Sequence, residues 1–215
     1  MARRLTALAL VAAACAGDAG PGRMDVDRSQ VQIVTDSVAL RTGPVGEARW
    51  RTQATYALVE ARNHSDKDLD VTLAGHLVDG GEGKWRVRRE SLRIPAGGSR
   101  LFALVDDEQA ARPQATGARV EVVGAAEVKY APPFVVTDGK VVMDQGRAVA
   151  AAYVTNTARR VGQVILIGAF FDEAGLPLGR TSTLFRMDGG GKRGVQLVGP
   201  SGSRSAYLFV GEYVY

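Results

Sequence analysis

The sequence predicts an all-β protein: two β-sandwiches in tandem behind an N-terminal signal segment. Three observations predict this. Short runs of Val, Ile, Leu, Thr and aromatic residues are broken by Gly, Asp, Asn and Pro, while helical periodicity is scarce. A block of sequence recurs at a fixed offset of 93 residues. The first fourteen residues carry a different pattern, basic and then uncharged and apolar. At 215 residues the chain is long enough for two small domains, and an apolar share of 46% supplies a core.

The N-terminal segment comes first. Arg3 and Arg4 precede an uncharged run from Leu5 to Ala14 that is too short to span a bilayer as a helix. A basic head, an apolar middle and small residues at the exit describe a secretory signal. The only cysteine, Cys15, follows at once. "Ala12-Ala13-Ala14-Cys15" resembles the lipobox of bacterial lipoproteins, although Ala12 stands where Leu is usual. The resemblance implies that residues 1–14 are removed and that Cys15 is acylated. An ordinary signal cleavage with an incidental cysteine is the alternative. Several acyl chains hold a protein at a membrane where one does not. Residues 15–30, with "GDAGPG" at Gly17–Gly22, read as a flexible tether. The folded part then contains no thiol and must be stable without a disulfide. Loss of Arg3 and Arg4 lowers the net charge from +4 to +2, so the basic charge is a weak argument for nucleic acid and no nucleic-acid partner is expected.

The repeat sets the domains. "NHSDKDLDVTLAGHLVDGGEG" from Asn63 aligns without a gap with "NTARRVGQVILIGAFFDEAGL" from Asn156. The offset persists to Val105/Val198 through Arg93/Arg186, Gly97/Gly190, Gly98/Gly191, Arg100/Arg193 and Leu104/Leu197. It gives 11 identities in 43 positions, where average composition gives roughly three or four. "VTD" at Val34–Asp36 and Val136–Asp138 extends the correspondence, as do "VGAAEVKY" (Val123–Tyr130) and "VGEYVY" (Val210–Tyr215). The units run over 31–130 and 134–215, joined by an extended Ala131-Pro132-Pro133 link.

Within the second unit, strands are expected at Ala148–Asn156, Gln163–Asp172, around Thr181–Met187, at Val195–Val198 and at Ala206–Tyr215. The long apolar run "VILIGAFF" predicts a strand covered on both faces. Asp172 with Gly175 forms a turn, and "DGGGKRG" (Asp188–Gly194) is a loop that lacks phosphate-loop spacing. About seven short strands per unit point to immunoglobulin-like sandwiches. The order of a strand, an Asn turn, an apolar strand ending in an aromatic and Asp, and a Gly-rich turn resembles the FxLYD family, small modules of prokaryotic envelope proteins that are often in tandem. The name motif falls on "GHLVD" (Gly75–Asp79) and "GAFFD" (Gly168–Asp172), with Gly in place of the first Phe in both. The resemblance implies no catalytic residue and no cofactor.

The residues themselves carry little chemistry. His64 and His76 have no metal spacing, so no metal site is expected. No nucleophile–base pair is evident, and acidic pairs such as Asp106–Asp107 lie where turns require them. "MDVD" (Met24–Asp27) reads as linker. The distinctive charged stretch is "KWRVRRESLR" (Lys84–Arg93). As a strand it places Lys84, Arg86 and Arg88 on one face, with Trp85 and Val87 on the other. The strip is a candidate site for anionic lipid headgroups, acidic glycans or an acidic protein, or else a charged edge that resists aggregation. The function expected is a non-catalytic cell-envelope lipoprotein, exported and lipid-anchored, acting as a spacer or protein-binding module. The alternative is a periplasmic or surface glycan- or anionic-ligand-binding protein using the strip around Trp85.

Overall fold

The computed structural model describes residues 23–46 and 51–215. The leader and Cys15 lie outside the described residues. Fourteen strands are present among these residues, with one 3-10 turn at Arg28–Gln30 and no α-helix. The fold is all-β, built from antiparallel sheets in a sandwich-like arrangement.

The first unit contains β1 (Arg23–Asp25), β2 (Val31–Val45), β3 (Thr52–Asn63), β4 (Leu69–Asp79), β5 (Glu82–Arg86), β6 (Glu90–Ile94), β7 (Ser99–Val105) and β8 (Gly117–Val128). One sheet has the order β2-β3-β7; the other runs β1-β8-β4, with β5 and β6 both paired to the far side of β4. The second unit contains β9 (Phe134–Asp144), β10 (Arg147–Asn156), β11 (Gly162–Phe171), β12 (Pro177–Met187), β13 (Lys192–Val198) and β14 (Ser205–Val214). Its sheets are β9-β10-β13 and β14-β11-β12. Each strand order in the second unit repeats one in the first, with the continuous β12 in place of β5 and β6.

The pairing registers correspond as well. Val71 faces Ala125 and Leu73 faces Val122 across a bulge; Val164 faces Tyr213 and Leu166 faces Val210 across another. The motif glycines have a packing role. A Cβ on Gly75 would fall 2.1 Å from the Arg119 carbonyl oxygen, and one on Gly168 would fall 2.8 Å from the Phe170 ring. At Gly75 the facing backbone leaves no room for a side chain, and at Gly168 the Phe170 ring would have to shift.

A buried asparagine closes the same corner of each unit. Asn63 Nδ2 donates to the carbonyls of Lys67 (2.6 Å), Ile94 (3.2 Å) and Pro95 (3.1 Å). Asn156 Nδ2 donates to those of Arg160 (2.9 Å), Met187 (3.4 Å) and Asp188 (3.1 Å). The Oδ1 atoms accept from Ser65 N–H (2.9 Å) and Ala158 N–H (3.1 Å). All four partners keep the 93-residue offset. So do Gly97 and Gly190, whose positive φ values of 63° and 73° turn the chain beneath the amide.

The units share apolar packing. Along β11, Val164 and Leu166 point into the second sandwich, whereas Ile167, Ala169 and Phe171 join the core cluster that contains Leu58 and Leu101 of the first. This is why the run in β11 is apolar on both faces: each side is covered by a sheet. Polar clamps border the contact. Arg180 binds Glu90 through both nitrogens (2.9 and 2.8 Å) and donates to the Leu101 carbonyl (3.0 Å). Arg41 donates to the carbonyls of Pro177 (2.9 Å) and Leu178 (3.3 Å).

Structure begins before Val31. Arg23–Asp25 of the expected tether pairs with Val128–Ala126 at the edge of β8. Asp27 caps the 3-10 turn by accepting from Ser29 N–H (2.9 Å), and this bond holds its carboxyl below the usual range. Met24–Asp27 therefore folds as part of the first unit rather than as linker. The second unit has six strands among the described residues, one fewer than the seven expected.

Candidate functional site

The basic stretch is interrupted. Strand β5 ends at Arg86, and β6 begins at Glu90 on the same flank of β4. Between them Val87 bridges Asp106 of the opposite sheet, and Arg88 N–H donates to Val105 (2.7 Å). The alternation of exposure still holds: Lys84, Arg86 and Arg88 are exposed, Val87 is buried and Trp85 is half-buried against the first core. Arg88 is not in the strand with Lys84 and Arg86, because the chain crosses between sheets before reaching it.

The charges of the stretch are largely met from within. Lys84 pairs with Asp79 (2.9 Å) and lies 5.1 Å from the centre of the Trp85 ring. Arg112 covers the ring as well, at 5.6 Å. Arg88 lies 3.7 Å from the Asp107 carboxylate and donates to the Asp107 carbonyl (3.2 Å). Trp85 is thus bracketed by two cations, and the surface combines both signs of charge.

Asp106 and Asp107 face apart. Asp106 is buried, held bidentately by Arg112 (3.0 and 3.1 Å), and accepts from Ala110 N–H (3.1 Å). Arg112 also binds Glu108. This carboxylate has structural partners at both oxygens and no open position. His64 bonds Gln32 (2.8 Å) and His76 is exposed. Among the described residues no group of three His, Cys, Asp or Glu could hold a metal, and no helix is long and apolar enough to cross a membrane.

Sequence reading missed a concave feature of the described residues. A cleft of about 600 Å³ opens between the inner face of β9, the free edge of β14 and the β6–β7 flank of the first unit. Val136, Val141, Ala150 and Leu208 line it, as do the polar side chains of Asp68, Arg93, Arg100, Lys140 and Tyr207. Arg93 pairs with Asp68 (2.7 Å) and donates to the Tyr130 carbonyl (2.6 Å). Burial works to raise the Asp68 carboxyl, but the Ala96 N–H and the Arg93 guanidinium outweigh it and hold the group below its usual value.

Arg100 differs. It lies 5.0 Å from the Phe209 ring centre and donates from Nη1 to the Ser99 carbonyl (2.8 Å). Its buried Nε has no partner, nor does the buried Tyr207 hydroxyl. Burial pushes the Arg100 guanidinium down and the Tyr207 phenol up. In the repeat Arg100 matches Arg193, which is exposed beside Phe185. Identity at the repeat position therefore hid the difference in environment: β7 faces the other unit at this point, and β13 faces solvent.

Around the cleft, β9 is an edge strand among the described residues. It exposes Val135, Val141, Val142 and Met143.

No family model matches the chain, and no curated protein matches it. Among solved structures it is similar to a DUF1425 family member from Shewanella sp. pv-4, at 14% identity and a TM-score of 0.34, covering 38% of this chain and 80% of that one. A glycoside hydrolase family 2 β-glucuronidase gives 10% identity and a TM-score of 0.27, covering 71% of this chain and 20% of that one. Red sea bream transglutaminase gives 16% and 0.26, covering 80% and 28%. These likenesses are too slight to carry an activity to this chain, and no enzymatic family is supported.

Proposed function

We propose that this protein is a non-catalytic bacterial envelope lipoprotein, held at the membrane through Cys15, whose two FxLYD-like sandwiches form a spacer and protein-binding module. The observation that carries the binding role is the row of exposed apolar side chains on the free edge strand β9, Val135, Val141, Val142 and Met143. Large exposed apolar side chains favour an interaction site over a solvated face, and an unpaired strand edge is a ready template for another chain. The packing of Ile167 and Phe171 into the first core, with the Arg180–Glu90 clamp, supports a stiff spacer. The basic stretch is the weaker candidate surface, because Lys84 and Arg88 already face Asp79 and Asp107.

One experiment tests both halves of this reading. The wild-type protein, Cys15→Ala and Val142→Lys are expressed in a bacterial host and recovered from detergent-solubilised envelopes. Wild type is expected in the membrane fraction with a co-purifying protein. Cys15→Ala is expected folded in the soluble fraction. Val142→Lys is expected in the membrane without its partner. Soluble wild type, or recovery of the partner unchanged by Val142→Lys, would overturn the corresponding half.

A further inference from the structure

We propose that the cleft between β9, β14 and the β6–β7 flank binds a single-chain amphipathic anion, with its apolar body against Val136, Val141, Ala150 and Leu208 and its anionic head at Arg100. The inference goes beyond the spacer and protein-binding role and does not depend on it.

Three observations carry it. The first is size and lining: about 600 Å³ lined by apolar side chains and several polar groups, Arg100 among them, has the size and mixed lining of a small-molecule site. The second is charge. Arg100 is largely withdrawn from water, yet no carboxylate forms an ion pair with it among the described residues, and its Nε is unpartnered. A desolvated cation without a counter-ion of its own is costly to the fold. Asp68 acts on Arg100 at longer range but is paired with Arg93, and Arg180 nearby is paired with Glu90, so two guanidiniums in the cleft share one carboxylate and one anion is missing. The third is the comparison of the two units. In the first, Val26, Ile33, Val38 and Leu40 pack onto the core from the β1–β2 side. In the second, Val141 and Met143 on the corresponding strand β9 remain exposed, at 41% and 48%. The opening is thus not a necessity of this fold.

An apolar body alone would leave Arg100 as it is, and a small inorganic anion would leave the walls exposed. A molecule with both parts satisfies both. A free fatty acid has this chemistry; a two-chain anionic lipid presents only the charged head at a surface, and the vesicle arm separates the two.

Dodecanoate, below its micelle concentration, is titrated calorimetrically into the delipidated protein. Dodecanol and dodecyltrimethylammonium are titrated in parallel, and vesicles of phosphatidylglycerol form a fourth arm. Saturable binding of dodecanoate is expected, weakened roughly tenfold or more by Arg100→Met and largely kept by Arg100→Lys. Val141→Trp, which fills the mouth from an exposed position, should abolish it. Arg100→Met should leave thermal stability unchanged or raised, because the desolvated charge it removes has no carboxylate of its own. Equal affinity for the three amphiphiles, indifference to Arg100→Met, or no saturable binding up to roughly 1 mM would overturn the proposal. So would a signal with vesicles alone, which would mark adhesion to a lipid surface. Should Arg100→Met fail to fold, Val141→Trp decides. Lost binding with a native circular-dichroism spectrum supports the site, and retained binding refutes it.

Discussion

Replacing Asn156 by Ala removes a side chain that is fully buried and makes four hydrogen bonds: three donated by Nδ2 and one accepted by Oδ1. Two of the carbonyls involved have other calls on them or lie near solvent. The Asp188 carbonyl also accepts from Gly191 N–H (3.1 Å), and Arg160 is exposed. The loss is therefore concentrated on the Met187 carbonyl and the Ala158 N–H. A net hydrogen bond contributes about 0.5–1.5 kcal/mol, and a buried group left unpaired costs about 1–3 kcal/mol. The variant should lose roughly 2–4 kcal/mol. Asn63→Ala should lose a similar amount, because its partners occupy the same positions 93 residues earlier; it also forfeits the bond from Ser65 Oγ (2.7 Å). Asn156→Asp is the sharper probe. It keeps the Oδ1 acceptor but turns a carboxylate oxygen toward three carbonyls, so at neutral pH it should cost at least as much as Ala. Protonation of that carboxyl at low pH restores one donor and should recover part of the loss. Urea unfolding followed by circular dichroism measures each value, with an unchanged slope showing that compactness is retained. A loss below about 1 kcal/mol for both Ala variants would refute the reasoning that these amides hold the corner of each unit.

Two further outcomes follow from the contact between the units and from its titrating groups. Arg180→Ala leaves Glu90 facing the contact without its cation; with both side chains about four-fifths withdrawn from water, the loss should be roughly 2–4 kcal/mol. Calorimetry should show the unfolding transition broaden or split as the units uncouple, and a single sharp transition would contradict the clamp. Asp68 has a depressed carboxyl pKa in the folded state. Its contribution is thus present above the unfolded value of about 3.9 and is lost as pH falls below it. Asp68→Asn should lower stability at pH 7 and flatten the acid limb of the stability profile; an unaltered limb would contradict the assignment.

The fold was legible where chemistry is local. The breaks at Gly and Asp and the apolar runs marked five of the six strands of the second unit to within a few residues, but not β9, and "VILIGAFF" disclosed a strand covered on both faces. What covered the outer face was not legible. Ile167 and Phe171 look the same in sequence whether they meet solvent, a partner or another sheet, and here they join the core of the first unit. The interruption at Val87–Arg89 was hidden for a similar reason. Alternation continues through it, because the crossing chain keeps Val87 inward while changing its hydrogen-bond partner from one sheet to the other. At the candidate sites the difficulty is pairing across distance. Nothing in "KWRVRRESLR" tells that Asp79 and Asp107 face Lys84 and Arg88, or that Arg112 lies over Trp85. Arg100 was noticed only as a repeat identity. Its burial depends on which face of β7 meets the second unit, and that is a property of the whole chain.

The membrane-tethered role rests most directly on the state of Cys15, and intact-mass spectrometry of the mature N-terminus measures it. The protein is purified from the membrane fraction of a bacterial host, digested, and its N-terminal peptide weighed before and after ester hydrolysis. The account predicts a chain that begins at Cys15 and carries the mass of several acyl chains, part of which hydrolysis removes. An unacylated chain that begins at any other residue would contradict it.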